Sequence, residues 1–304
     1  MKTPFRTTTL AALAALATLA ATPARAEDTL KKIKDSASVT LGVRESSGAL
    51  SYTLGDGKYV GYHVEICQRI VGALQKQLGL AKLDVKYQPV TSQNRIPLVQ
   101  NGTVDLECGS TTNNLTRQKD VAFAVTTFVE EVRIAVKASS GIHAIDQLAN
   151  RTVATTTGTT SVQTLRKHER ATGVDFKEVF GKDHADSFLL LESGRADAFV
   201  MDGSLLAGLI AKSKNPADYK IVGEVLSVQP IAIMFRKDDP AFKKAVDDTL
   251  VAMMKSGDVA KLYDKWLMQP IPPTHSRVGL PMSENLKAAL AAPNDKPMEA
   301  YAKK

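Results

Sequence analysis

The segment TSQNRIPLVQNGTVDLECGSTTNNLTR, residues 91–117, sets Arg95 and Arg117 among the hydroxyls of Ser92, Ser110, Thr111 and Thr112. A guanidinium presents paired N–H donors in a planar fork that matches the two oxygens of a carboxylate, and nearby hydroxyls both donate and accept at short range. The chemistry on offer is that of gripping a carboxylate. Hydroxyl-rich sequence is otherwise a polar surface loop, so the rest of the chain decides between the two readings.

The elements around this segment alternate. Residues 38–43 (SVTLGV) read as a strand, 62–78 as an amphipathic helix and 83–89 as a strand. A short helix at 95–100, a strand at 104–108 and an extended segment over 121–137 follow. A second set repeats the order, with a helical turn at 146–149, strands at 152–156, 176–179 and 198–201, and helices at 161–171, 187–193 and 205–212. Extended runs at 219–222 and 227–235 precede helices at 240–255 and 258–267. This order predicts an α/β protein with two lobes, each a mainly parallel sheet flanked by helices. The chain is expected to cross to the second lobe near 130–133 and return near 226–231, a two-strand hinge suited to rigid-body closure.

The N-terminus carries Lys2 and Arg6, an apolar run over 10–21 and the sequence Ala24-Arg25-Ala26 before Glu27. That is the pattern of a secretory signal cleaved after residue 26. No later segment approaches the ~20 apolar residues of a membrane helix, so a soluble exported protein without membrane insertion is expected. Cleavage removes three cations (Lys2, Arg6, Arg25) from a formal net charge of +7. The remaining Lys and Arg are scattered, not gathered into a stripe with aromatics, which argues against nucleic acid. The two cysteines, Cys67 and Cys108, each fall on a core-facing position. Two independent buried thiols would fit that placement, but export to an oxidising compartment favours a disulfide.

Several fragments together carry a family resemblance: GVRESS after the first strand, GYHVEIC opening the first long helix, TSQNRIPLVQNGTVDLECGSTTNN, the GTTS turn, KDHADSFLLLESGRADAF and the terminal KWLMQPIPP. Their combination resembles the periplasmic glutamate/aspartate-binding proteins of ABC importers. The resemblance implies the type II periplasmic-binding-protein fold, with residues 27–131 and 229–292 in lobe 1, 132–228 in lobe 2 and 293–304 as a flexible tail. It implies capture of L-glutamate or L-aspartate between the lobes, delivery to an inner-membrane ABC permease, no cofactor, and action as a periplasmic monomer.

The resemblance also assigns roles. Arg117 forks onto the α-carboxylate, Ser110 and Thr112 match positions that contact the α-carboxylate and the ammonium, and Thr111 lies between them. The turn Gly158-Thr159-Thr160 exposes N–H groups at a helix N-terminus, an anion seat in its own right, and Thr160 matches the residue binding the α-carboxylate from lobe 2. Asp202, at the carboxyl end of a lobe 2 strand, is the ammonium partner and is favoured over Asp197. Arg44, Ser92, Arg95 and His184 surround the side-chain carboxylate, with Asp183 in place to orient His184. Relatives often carry Pro-Phe after the RESS motif where this chain has Gly48-Ala49-Leu50, which bears on the apolar wall beside the ligand.

Other readings are weaker. His184, Asp186 and Ser187 are too crowded for a catalytic relay, and no G-x-S-x-G elbow occurs, so no catalytic residue is assigned. His63 and Cys67 are four apart on a helix, but no further metal ligand has suitable spacing. The alternatives are a binding protein for another polar amino acid such as glutamine, or a dehydratase-like enzyme on the same fold.

Overall fold

The computed structural model describes residues 28–301, so the signal sequence expected over 1–26 lies outside the described residues. Helix α1 (Thr29–Ser36) leads into β1 (Ser38–Val43). A small antiparallel sheet follows, made of β2 (Ser46–Ser47), β3 (Ser51–Gly55) and β4 (Lys58–Val60). Next come α2 (Tyr62–Gln77), β5 (Asp84–Pro89), α3 (Arg95–Gln100), β6 (Leu106–Glu107) and β7 (Val121–Phe123).

Strand β8 (Phe128–Lys137) carries the chain into the second set: β9 (Thr152–Thr156), α4 (Thr160–Thr172), β10 (Lys177–Gly181), α5 (His184–Glu192), β11 (Ala198–Asp202) and α6 (Gly203–Lys212). The chain returns along β12 (Tyr219–Ile231) to β13 (Met234–Arg236). Helices α7 (Pro240–Lys255), α8 (Asp258–Tyr263) and α9 (Glu284–Ala291) complete the order.

Two five-stranded sheets result, ordered β5-β1-β6-β13-β7 and β10-β9-β11-β8-β12. In the first, β1 runs parallel to β5 and β6 while β13 is antiparallel to both its neighbours. In the second, β9 is parallel to β10 and β11 while β8 is antiparallel to β11 and β12. Each sheet is mixed, with one strand reversed against its two neighbours and the other four running in one direction, and the two-lobed α/β architecture is the expected one. The lobes are joined where β8 and β12 pair from Phe128↔Ile231 onward, with an irregularity between Val222 and Ser227.

Burial explains the local choices. Strand β1 alternates into the core through Val39 and Leu41, and α2 buries Val64, Cys67, Val71 and Leu74, the 3.6-residue stripe of an amphipathic helix. Val132, Ile134, Val153, Leu165, Ala198 and Val200 belong to the lobe 2 core. Cys67 on α2 and Cys108, just after β6, form a disulfide with Cα atoms 6.2 Å apart, which ties that helix to the strand end carrying the polar loop.

Some expectations change. The strand expected over 104–108 is shorter, Leu106–Glu107, with Val104 in a separate cluster beside Val99 and Phe123 while Leu106 and Cys108 join the main core. Helix α1, capped by the Asp28 side chain on Lys31 N–H, and α9, capped by Ser283 on Leu286 N–H, were not anticipated. Of the segment expected to be a loose tail, residues 294–298 are held in place. Thr126 N–H donates to Asn294 O at 2.8 Å, Asn113 Nδ2 to Asp295 O at 2.9 Å and Met298 N–H to Asn113 O at 2.8 Å. Among the described residues no helix is long and apolar enough to cross a membrane.

Candidate functional site: an arginine-lined cleft

The site assembles where the carboxyl ends of β1, β6, β9 and β11 face one another between the sheets, the usual ligand edge of open α/β layers. Arg44 follows β1 and is completely buried. Its Nη2 donates to Asp183 Oδ1 at 2.5 Å and lies 3.2 Å from His184 Nε2, while Nε and Nη1 have no partner among the described residues. Arg95, the first residue of α3, is likewise buried with Nε and Nη1 unpartnered, and so is the Ser92 hydroxyl. Buried donors without acceptors are costly, so groups in this state mark a place where a ligand's oxygens fit.

Arg117 starts a 3₁₀ turn after the polar loop. Its backbone N–H is fixed by Asn114 Oδ1 at 2.8 Å, and its guanidinium donates to Thr112 O at 2.9 Å and to Gly158 O at 3.2 Å across the cleft. Burial pulls the guanidinium down to about 10, with Glu107 and Asp202 opposing that shift, so it stays charged at neutral pH. Arg95 is lowered by burial and by repulsion from Arg117 and Arg44, and raised by Glu107 and Asp202. Arg44, Arg95, Arg117, Glu107 and Asp202 are all buried, so these three guanidinium groups and two carboxylates influence one another with little solvent screening.

Asp202 ends β11 and immediately precedes α6. It is buried, its Oδ1 has no partner among the described residues, and burial pushes its carboxyl up to about 6 against the pull of Arg95, Arg117 and Arg44. Asp197, the weaker candidate, instead accepts from Thr152 N–H at 2.9 Å and pairs with Arg151 on the surface.

The hydroxyls divide into two groups. Thr112 and Thr160 approach each other from opposite sides at 3.4 Å, and both donate to Gln229 Oε1, at 2.8 and 2.6 Å. Ser110 Oγ lies 3.2 Å from Ser47 Oγ. Thr111 donates to Glu107 Oε2 at 2.6 Å and Thr159 to Thr156 O at 2.7 Å, so these two hydroxyls close loops.

His184 is fully buried, and burial followed by the Arg44 cation lowers its ring to about 3. A guanidinium only donates, so Nε2 accepts from Arg44 and the ring proton sits on Nδ1, 3.0 Å from Thr156 Oγ1. Asp183 does more than orient the ring. It pairs with Arg44 and accepts from Ser46 Oγ at 2.7 Å.

Sequence reasoning missed Glu107 and Gln229. Each had a signal: Glu107 is a lone acid between the core positions Leu106 and Cys108, and Gln229 a lone amide entering the apolar run PIAIMF. His63 uses Nδ1 on Gly109 O and Nε2 on Thr127 Oγ1, and Cys67 is in the disulfide, so that pair is structural. A cavity of about 510 Å³ borders Arg117, Gly158 and Thr159 and reaches Arg166 and Phe180.

The sequence profile of the bacterial extracellular solute-binding proteins, family 3, matches residues 39–269. The chain belongs to this family. The L-glutamate/L-aspartate-binding protein of Pseudomonas aeruginosa is 46% identical over 95% of this chain and 97% of its own length. The glutamate/aspartate import solute-binding protein of Escherichia coli (strain K12) is 45% identical over 95% and 97%.

Among solved structures, a mutant of ArgBP from T. maritima superposes with a TM-score of 0.69 at 27% identity, over 78% of this chain and 98% of that one. A substrate-binding protein of a Streptococcus pneumoniae ABC uptake transporter with bound histidine has a TM-score of 0.70 at 18% identity over 80% and 97%, a likeness of fold alone. The arginine-lined cleft of this family 3 member therefore sits in a scaffold shared by proteins with different amino-acid ligands.

Proposed function

We propose that this chain captures L-glutamate or L-aspartate in the interlobe cleft and delivers it, as a periplasmic monomer, to the inner-membrane permease of an ABC importer. The observation that carries the reading is a set of buried donors on Arg44, Arg95 and Ser92, together with a carboxylate oxygen on Asp202, that have no partner among the described residues. A dicarboxylic amino acid supplies the complementary groups, two carboxylates and one ammonium, and burying any of them unpaired costs several kcal/mol. Relatives at 46% and 45% identity over nearly the whole chain, named for binding both acids, support the ligand class.

In this reading Arg117, with Ser110, Thr112 and Thr160, takes the α-carboxylate, and Asp202 takes the ammonium. Arg44, Arg95 and Ser92 take the side-chain carboxylate. His184 serves it by fixing Arg44, while Thr111 and Thr159 shape the two loops. Lobe 1 comprises 27–131 and 229–292 and lobe 2 comprises 132–228, with the hinge at the β8–β12 crossing. Closure is driven by the contacts that only the closed cleft provides, Thr160, His184 and Asp202 meeting a ligand already held on lobe 1.

The Asp183–Arg44 pair favours a second reading, since it neutralises one cation and lowers the demand for a second carboxylate. A neutral side chain such as glutamine's then fits. Isothermal titration with glutamate, aspartate, glutamine and arginine separates the two. Tight binding of the acids supports the first reading, and binding of glutamine without glutamate overturns it. Arg117→Ala is expected to abolish binding of every amino acid, whereas Arg95→Ala weakens the acids selectively.

A further inference from the structure

The one departure noted in the RESS motif, Gly48-Ala49-Leu50, turns between β2 and β3 and meets lobe 2 backbone to backbone. Gly48 has φ +58°, and a Cβ there would lie 3.0 Å from Leu205 Cα and 3.1 Å from Ser204 O on α6. From the other side, a Cβ on Gly208 of α6 would lie 2.8 Å from Gly48 Cα and 3.2 Å from Gly48 C. One helical turn beyond Gly208, on the same face, Lys212 places Nζ 3.2 Å from the centroid of the Tyr52 ring and 3.3 Å from Gly48 O.

The turn is firmly part of lobe 1. Leu50 N–H donates to Ser47 O at 3.0 Å and Tyr62 N–H to Ala49 O at 2.9 Å, and the Tyr52 hydroxyl donates to Pro272 O at 2.6 Å. It is also connected to the cleft: Arg44 N–H donates to Ser51 Oγ at 2.9 Å, and Ser47 Oγ is 3.2 Å from Ser110 Oγ.

We infer that the Gly48 turn, Gly208 and Lys212 form a latch between the lobes that sets how tightly the cleft holds its amino acid. Gly208 and Lys212 are positioning residues. Their contacts exist only with the lobes together, so they add to the closed state whichever amino acid is inside, and losing them raises Kd by the factor by which closure is weakened. The inference deepens the reading of the cleft as a closing amino-acid clasp and rests on it.

Gly208→Ala is the informative variant, because alanine favours the helix while its Cβ keeps the turn from seating. The expected result is a Kd at least tenfold higher, through faster dissociation, with the thermal midpoint of the ligand-free protein unchanged or raised. Lys212→Met keeps the apolar stem but loses the charge and is expected to weaken binding severalfold, with Lys212→Arg restoring most of it. The glutamate-to-aspartate affinity ratio stays constant throughout, since none of these atoms is placed on the ligand.

The titrations include glutamine and arginine, so the loss is read on whichever amino acid the unmodified protein binds. Failure of the unmodified protein to bind either acid overturns the ligand reading. Unchanged affinity in Gly208→Ala overturns the latch. Should Gly208→Ala lower the ligand-free midpoint, the Lys212 pair decides: loss in Met with recovery in Arg supports the latch, and equal affinity in both overturns it.

Discussion

Arg44 and Asp183 meet across the cleft, Nη2 to Oδ1 at 2.5 Å, with the guanidinium completely buried and the carboxylate partly exposed. Burial alone pushes the Asp183 carboxyl up, but Arg44, His184 and Ser46 together hold it down at about 2. Its contribution to the closed structure is therefore present above the unfolded value of roughly 3.9 and is lost only as the pH falls toward 2. The pair ties Asp183 to the guanidinium proposed to take the ligand's side-chain carboxylate.

Asp183→Asn frees Arg44 for the ligand. The expected outcome is stronger discrimination, with the ratio of glutamine Kd to glutamate Kd rising roughly tenfold, which corresponds to about 1.4 kcal/mol. Titration calorimetry of both amino acids on both proteins measures it. An unchanged ratio would show that Arg44 does not sense the ligand's side chain.

Asp202 predicts a pH dependence. Burial holds its carboxyl at about 6, and an ammonium partner requires it ionised. Ligand affinity is expected to be full above pH 6 and to fall by up to about tenfold per unit below it, while glutamate's own side chain, near 4.3, stays mostly ionised down to about pH 5. Stability of the ligand-free protein moves the other way. A raised pKa means the folded state binds the proton more tightly, so stability gained at low pH is lost as pH rises through about 6. Asp202→Asn should bind weakly and lose both trends, measured by titration and by thermal unfolding across pH 4–8.

The Cys67–Cys108 bridge closes a loop with a sequence separation of 41. On the chain-entropy account such a loop stabilises by about 4 kcal/mol. Replacing both cysteines with alanine is expected to lower the unfolding free energy by roughly 2–4 kcal/mol in urea titration, with ligand affinity much less affected. A loss of affinity without a loss of stability would instead make the bridge a device for placing the Glu107–Arg117 loop.

The two-lobed α/β order was legible because β1, β9 and β11 alternate or run apolar in the expected way and α2, α4 and α7 carry helical periodicity. Arg44 and Asp202 were legible because they lie at the carboxyl ends of β1 and β11, whereas Arg95 opens α3 and Arg117 a 3₁₀ turn, and these two were legible through the hydroxyl-rich segment 91–117 and the family resemblance. Other features depend on long-range approach. Gln229 joins Thr112 and Thr160 only because β12 brings it beside them, and Gly48 meets the backbone of α6 only through the tertiary fold. The segment 294–298 is polar, which reads as loose, but Asn113 supplies both a donor and an acceptor that fix its backbone. Glu107 was not legible because its buried contact with Thr111 forms only when the polar loop folds back on β6.

A crystal structure of the protein grown with L-glutamate tests the central claim most directly. The account predicts the side-chain carboxylate within hydrogen-bonding distance of Arg44 and Arg95, the α-carboxylate on Arg117 and Thr160, and the ammonium on Asp202. A bound glutamate whose carboxylates contact none of the three arginines, or whose ammonium lies away from Asp202, would contradict it.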